Sequence, residues 1–343
     1  MLNSKQPEKI RVSTGSAAVL GLKRLKMDTP PTTCYLMTYT EEYCIGKCSF
    51  CPQGHTPTLQ STEQLSRIQW PDFNWEDFIQ QLKVNQSHES DNKFRRICIQ
   101  VLNYKGFYDD VRSIVKIIHM HFPTLAISAA IPPVPPIKLK ELKDSGLERI
   151  GIALDACYEE LFDDIKGKNI HGPYSWKKHW EALSSSLKIF GLGNATTHFI
   201  VGLGETEQDM IQSIKNVVEK DILPGIFLFT PVKGTPMENA PRPLMTHFRH
   251  IQLCRYLLLN NIDNYDRFRF SNDGRLSKIK SLTKDELTHI IQLNTAFKTA
   301  GCPDCNRPYY TSRPGEEQDG YPRDLTTQEC LLIYNELDSL LDI

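Results

Sequence analysis

Short, continuously apolar runs alternate with helix-period segments through the middle of the chain. Cys34–Thr38, Arg96–Leu102, Leu125–Ile131, Glu148–Leu154, Thr196–Val201, Gly225–Phe229 and Arg267–Phe270 read as strands. Helical patterns fall between them, near 74–85, 108–121, 137–145, 174–190, 206–219 and 245–260. A run such as Ile150–Leu154 is apolar throughout rather than at every second position, as suits a parallel strand covered on both faces. Repeated strand–helix alternation predicts a single (β/α) TIM-type barrel, and 343 residues accommodate one. The pattern divides the chain into an N-terminal extension (1–30), the α/β barrel (31–280) and a C-terminal part (281–343).

Outside this rhythm lie a polar loop from Gly54 to Arg67 and an irregular tail from about Gly301. Capping boxes at Thr283-x-x-Glu286 and Thr326-x-x-Glu329 predict one helix before the tail and one closing it, the latter docking through Leu331, Leu332 and Leu341. Tyr174, Trp176 and Trp180 read as a packed face.

A net charge of −1 disfavours a polybasic nucleic-acid binder, although Lys23, Arg24 and Lys26 form a small basic patch. The first ten residues are polar, and the apolar stretch Ala17–Leu22 is too short for a signal core or a span. The expectation is a cytoplasmic chain with no membrane segment. In that reducing compartment ten cysteines point to metal binding or catalysis rather than to disulfides.

Three of the ten, Cys44, Cys48 and Cys51, form C-x3-C-x2-C after the first barrel strand. Each can hold one iron of a cubane cluster and leave the fourth open to a substrate. A helical stripe would share the spacing, but Gly46, Pro52 and Gly54 interrupt it. Zinc is the other alternative, with Cys302 or His55 as fourth ligand. Cys302 and Cys305 form a C-x2-C knuckle between glycine and proline, which suits a second metal centre or a zinc knuckle.

The motif CIGKCSFC, with Phe50 before its last cysteine, resembles the radical SAM superfamily. The resemblance implies a [4Fe-4S] cluster that binds S-adenosyl-L-methionine and yields a 5′-deoxyadenosyl radical. It also implies cofactor contacts at Asn103 and Tyr104, at Asp155 and at Gly202, Gly204 and Glu205 of HFIVGLGE. Pro231 of TPVKGTP completes the set. Without a glycine-glycine-acid run at Asn103 and with Ala153 before Asp155, the match is looser there.

CPDCNRPYYTSRP, GSAAVLGL, CYLMTY and LSRIQWP are similar to the archaeal-type lipoyl synthase, which is split into two radical SAM proteins. That similarity implies a sulfurtransferase acting on an octanoyl chain carried by a protein, with an auxiliary iron–sulfur cluster at Cys302 and Cys305. Its implied partners are the second radical SAM subunit, the octanoylated lipoyl-carrier protein and a ferredoxin- or flavodoxin-like electron donor. Ser312 is a candidate further ligand. Cys34 begins its strand, and barrel direction argues against it. Cys98, Cys157 and Cys254 read as core thiols and Cys330 as a helix-face thiol. A biotin-synthase-like inner cluster would instead use Cys98 with Arg269. The competing functions are a biotin-synthase-like enzyme acting on a small molecule, a tRNA methylthio-transferring enzyme and a zinc-knuckle binding protein.

Overall fold

The computed structural model describes residues 6–54, 63–87, 92–262, 265–312 and 315–342. Six strands run parallel: β2 (Thr33–Met37), β6 (Arg96–Gln100), β7 (Ala126–Ala130), β8 (Arg149–Gly151), β9 (Ala195–Val201) and β10 (Leu223–Leu228). Their order in the sheet follows the chain. At one margin β1 (Lys9–Val12) pairs antiparallel with β2 and with β5 (Asp72–Asn74). Neither edge strand shows in the sequence pattern, because four and three residues carry too little periodicity.

Helices cover the outer face: α2 (Trp75–Gln86), α3 (Phe107–His121), α4 (Pro136–Asp144), α6 (Trp176–Phe190), α7 (Glu207–Val218) and α8 (Met245–Leu259). Each lies within two residues of its expected bounds. The additions are α1 (Thr14–Val19) and α5 (Glu159–Ile165). Strand side chains alternate between the helix layer and the interior. On β6, Ile97 and Ile99 are fully buried in the same core as Val111, Ile114 and Ile118 of α3. Cys98 and Gln100 take the other face.

Tyr35 of β2, Cys98 of β6, His198 of β9 and Phe227 of β10 line one cavity although β2 and β10 stand far apart in the sheet. The parallel sheet therefore curls around that cavity, giving the expected radical-SAM-type (β/α) barrel with six parallel strands. Phe268–Phe270 (β11), by contrast, pairs with Leu276–Ile279 (β12) in a separate hairpin and adds nothing to the barrel wall. A second small hairpin joins β3 (Gln64–Leu65) to β4 (Ile68–Gln69).

After α9 (Lys284–Gln292), N-capped by Thr283, the tail returns across the barrel and ends in α10 (Thr327–Leu337). The Thr326–Glu329 capping box is complete. Leu341 is buried as expected, but Leu331 and Leu332 are exposed, and Ile333, Leu337 and Leu340 are buried in their place. Ile333 and Leu337, four residues apart, share one face of α10 and Leu331 and Leu332 lie off it, so the buried stripe, not leucine content, decides the docking face. Among the described residues no helix is long and apolar enough to cross a membrane.

Arg249 of α8, fully buried, holds this return. It donates to the backbone oxygens of Gln318 (2.6 Å) and Asp319 (3.1 Å) and pairs with Glu317 (3.1 Å) and Glu336 (3.3 Å). Removing one partner of such a buried network leaves the others uncompensated. Arg249→Met should cost about 3 kcal/mol or more of stability and expose the tail to proteolysis. Leu331→Ala should stay within about 0.5 kcal/mol. Thermal denaturation and limited proteolysis measure both.

Candidate active site

The loop after β2 brings the first three cysteines together. Its backbone closes through Cys44 N to Gln53 O (3.0 Å), Ile45 N to Asn103 O (2.8 Å) and Cys51 N to Cys48 O (2.9 Å). Gly46 lets the loop approach Tyr174, since a Cβ there would stand 2.9 Å from the tyrosine oxygen and 3.2 Å from Cys44 Sγ. A Cβ at Gly54 would stand 2.7 Å from the Lys47 backbone nitrogen. These glycines are what interrupt a helical reading.

None of the ten cysteines is in a disulfide. Cys44 Sγ accepts the backbone N–H of Gly46 and of Asn103, each at 3.4 Å. Burial pushes the Cys48 thiol up to about 12 and the Cys51 thiol well above its ordinary value. Such thiols are inert as nucleophiles and become thiolates when a metal replaces the proton. Among the described residues no group of three His, Cys, Asp or Glu is gathered tightly enough for a single metal ion. A cubane distributes its ligands over separate irons, so the loop's donor set suits a cluster.

Beside these thiols lies a buried ion pair, Lys166 Nζ to Asp155 Oδ2 at 2.6 Å. Lys166 also donates to Ala153 O (2.9 Å) and lies over the Tyr174 ring. Burial disfavours its charge, but Asp155 and Cys48 outweigh burial and hold its pKa above the ordinary value. Asp155 has φ +63°, stabilised by backbone bonds to β9 from its N–H to His198 O (2.8 Å) and from Ile200 N to its carbonyl (2.9 Å).

The cavity has a volume of about 400 Å³. Phe50, Cys51 and Asp155 bound it at the C-terminal ends of the strands, and Cys302, Cys305 and Arg307 bound it on the tail side. The tail docks at the strand starts: Thr32 N donates to Asn306 Oδ1 (3.0 Å), and Arg95 pairs with Asp304 (2.8 Å). Asp304, Arg307 and Tyr309 adopt positive φ, of 64°, 28° and 64°, and this concentration of strain marks the segment as more than a linker. A Cβ at Gly301 would stand 2.8 Å from Cys305 Sγ.

Asn103 reaches the cysteine loop through its backbone, and its side-chain amide donates to the Tyr174 hydroxyl at 3.2 Å. Tyr104 turns its hydroxyl to Asp110 (2.7 Å). Gly202, Gly204, Glu205 and Pro231 do not line the cavity. A Cβ at Gly202 would collide with Pro243, so that glycine has a packing reason, and Glu205 accepts the N–H groups of Gly202 (2.6 Å) and Leu203 (2.9 Å). Burial raises Glu205 to about 7.

Ser312 is buried and donates to Gln318 (2.8 Å) and Asp319 (3.1 Å), away from the cavity. Arg269 is exposed on the hairpin and bonds local carbonyls. The cavity's guanidiniums are Arg255 and Arg307. Barrel direction does not exclude Cys34, because the tail docks at the strand starts; side-chain parity does, placing it in the outer core. Cys157 and Cys254 are buried core thiols. Cys98 is not, since it lines the cavity. His55 lies outside the described residues. Tyr174 packs with Trp176 against Phe162 and Leu161 as expected and also borders the cysteine loop. Lys166 and Arg255 carry no motif, and Arg307 lies within CPDCNRPYYTSRP without being singled out there; only tertiary placement marks all three.

A stretch 32% identical over 114 residues relates the chain to bacteriochlorophyllide c C-7(1)-hydroxylase of Chlorobaculum limnaeum, covering 32% of this chain and 28% of the hydroxylase. Biotin synthase of Aquifex aeolicus is 34% identical over 105 residues, 30% of this chain and 29% of that protein. The matched stretches thus span under a third of these relatives' own length. Among solved structures, methylornithine synthase superposes with TM-score 0.49 at 14% identity, covering 72% of this chain and 67% of that one. Coproporphyrinogen III oxidase of Escherichia coli gives 0.42 at 12% identity, covering 80% and 61%.

Breaking the Lys166–Asp155 pair from one side should cost about 3 kcal/mol. Lys166→Met should show that loss in denaturant melts, and adding Asp155→Asn should recover most of it, a coupling that a double-mutant cycle measures directly. The cysteine loop, Asp155 and Lys166 all fall inside residues 40–217, the stretch matched by the sequence model of the Radical SAM superfamily. That stretch is just over half the chain. The protein therefore belongs to the radical SAM superfamily, and that membership implies a [4Fe-4S] cluster, which Cys44, Cys48 and Cys51 would hold, and S-adenosyl-L-methionine.

Proposed function

We propose that this radical SAM enzyme is a sulfurtransferase that inserts sulfur into a protein-bound octanoyl chain, forming the lipoyl group together with a second radical SAM subunit. The observation that carries the reading is the single cavity with Cys51 at one end and the Cys302–Cys305 knuckle at the other. When bound, the first cluster and S-adenosyl-L-methionine supply a radical able to remove hydrogen from an unactivated carbon. An auxiliary iron–sulfur cluster at Cys302 and Cys305 is the sulfur source.

This chain's own residues position the substrate between the two. Ile200, Leu223, Phe227, Leu228 and Phe229 give the cavity an apolar wall suited to an aliphatic chain and exclude water from it. His198 is kept neutral there, burial and then the Arg307 charge lowering it to about 4. Exposed Lys23, Arg24 and Lys26 offer an acidic carrier domain a docking patch. Electrons come from a ferredoxin- or flavodoxin-like donor in the cytoplasm.

A second reading, a biotin-synthase-like enzyme on a small molecule, draws support from Arg255 and Arg307 in the cavity, which suit a substrate carboxylate. Anaerobic incubation with S-adenosyl-L-methionine and reductant separates the two: octanoyllysyl carrier should be thiolated and free dethiobiotin left unchanged. The reverse result would overturn the lipoyl reading.

Cys48→Ala should abolish 5′-deoxyadenosine formation. Cys302→Ala should still form 5′-deoxyadenosine yet insert no sulfur, with iron falling from about eight to about four per chain. Loss of cofactor cleavage in Cys302→Ala would show that the knuckle does not act as a separate sulfur source.

A further inference from the structure

The two knuckle cysteines cannot by themselves saturate a multi-iron cluster, and the cavity supplies a third thiol. Cys98 lies at the centre of β6, on the interior face, with Gln100 on the same side and Ile97 and Ile99 turned to the helix layer. Its neighbour across the sheet is Tyr35, paired with it in register. The Tyr35 hydroxyl stands 3.2 Å from Cys305 Sγ and accepts the Arg307 N–H at 2.9 Å. Cys98 and Cys305 pack against one apolar cluster, formed by Tyr35, Met37, Trp70, Leu102 and Tyr104. Cys98, Cys302 and Cys305 line the same cavity.

An unliganded interior cysteine would simply add an apolar contact. Cys98 has polar neighbours beside that apolar contact: Gln100 Nε2 donates to its sulfur at 3.3 Å, and Arg255 and Arg307 line the same cavity. N–H donors and guanidiniums of this kind stabilise the negative charge of metal-bound thiolates. The other interior thiols lack this setting, since Cys34, Cys157 and Cys254 lie in the outer apolar core.

We propose that Cys98 is the third protein ligand of the tail's iron–sulfur cluster, joining Cys302 and Cys305 across the barrel interior. The cluster is then held by one rigid strand and one docked knuckle, and its remaining iron is free of cysteine. This assignment rests on the reading of the knuckle as a cluster site. It also couples the cluster to the fold, because a ligand from β6 can meet the knuckle only when the tail is seated at the strand starts.

The test uses a full-length background lacking the first cluster, Cys44→Ala with Cys48→Ala and Cys51→Ala, reconstituted anaerobically with iron and sulfide. About four irons per chain should remain, with the charge-transfer absorption and reduced-state electron paramagnetic resonance of a four-iron cluster. Adding Cys98→Ala should remove most of that iron, and adding Cys254→Ala, at a thiol of the outer core, should not. Circular dichroism confirms that each variant folds. If Cys98→Ala fails to fold, Cys98→Ser provides the readout: the resonance should shift as oxygen replaces sulfur on one iron. Full iron retention in Cys98→Ala, or an unchanged resonance in Cys98→Ser, would overturn the assignment of Cys98 alone. Iron retention after Cys302→Ala with Cys305→Ala, or no iron in the background protein, would overturn the knuckle cluster itself.

Discussion

The Tyr35 hydroxyl is the point on which the molecule turns. It projects from the middle of β2 into the barrel and engages both Cys305 Sγ and the Arg307 backbone. Through this contact an irregular C-terminal segment becomes part of the barrel interior rather than a surface appendage. Asn306, bonded to Thr32 N and to Pro30 O, and Arg249, bonded to Gln318 and Asp319, hold the same segment from its two sides. The tail forms part of the cavity's wall.

Charge is distributed along that space in a consistent way. Buried thiols favour their protonated form in an apolar interior, and metal-bound thiolates need compensating charge. Lys166 stands by the Cys48 thiol, while Arg255 and Arg307 stand on the tail side. Between the two lies a mostly apolar wall.

The sequence was most legible where chemistry is local. Cys44, Cys48 and Cys51 lie within eight residues, so their spacing already carries the cluster motif. The six outer helices follow from apolar periodicity over a dozen or so residues each, and the Thr326–Glu329 capping box is a purely local device. Legibility failed for Leu331 and Leu332, because which stripe of a short helix is buried depends on its neighbour. It failed also for β1 and β5, which are strands only by virtue of their partners.

What the sequence by itself determined is the strand–helix order, the parallel sheet and the reactive cysteine loop, since each arises from residues close together in the chain. Only the tertiary structure decided that Cys98 faces inward while Cys34 faces outward, that Arg269 stays on a hairpin, that Arg255 and Arg307 line the cavity, and that Lys166 pairs with Asp155 beside the cysteine loop. These placements depend on how a strand is rotated about its axis and on where a tail some 200 residues distant comes to rest. Local spacing carries no information on either, because both are set by the packing of the whole sheet against its helices.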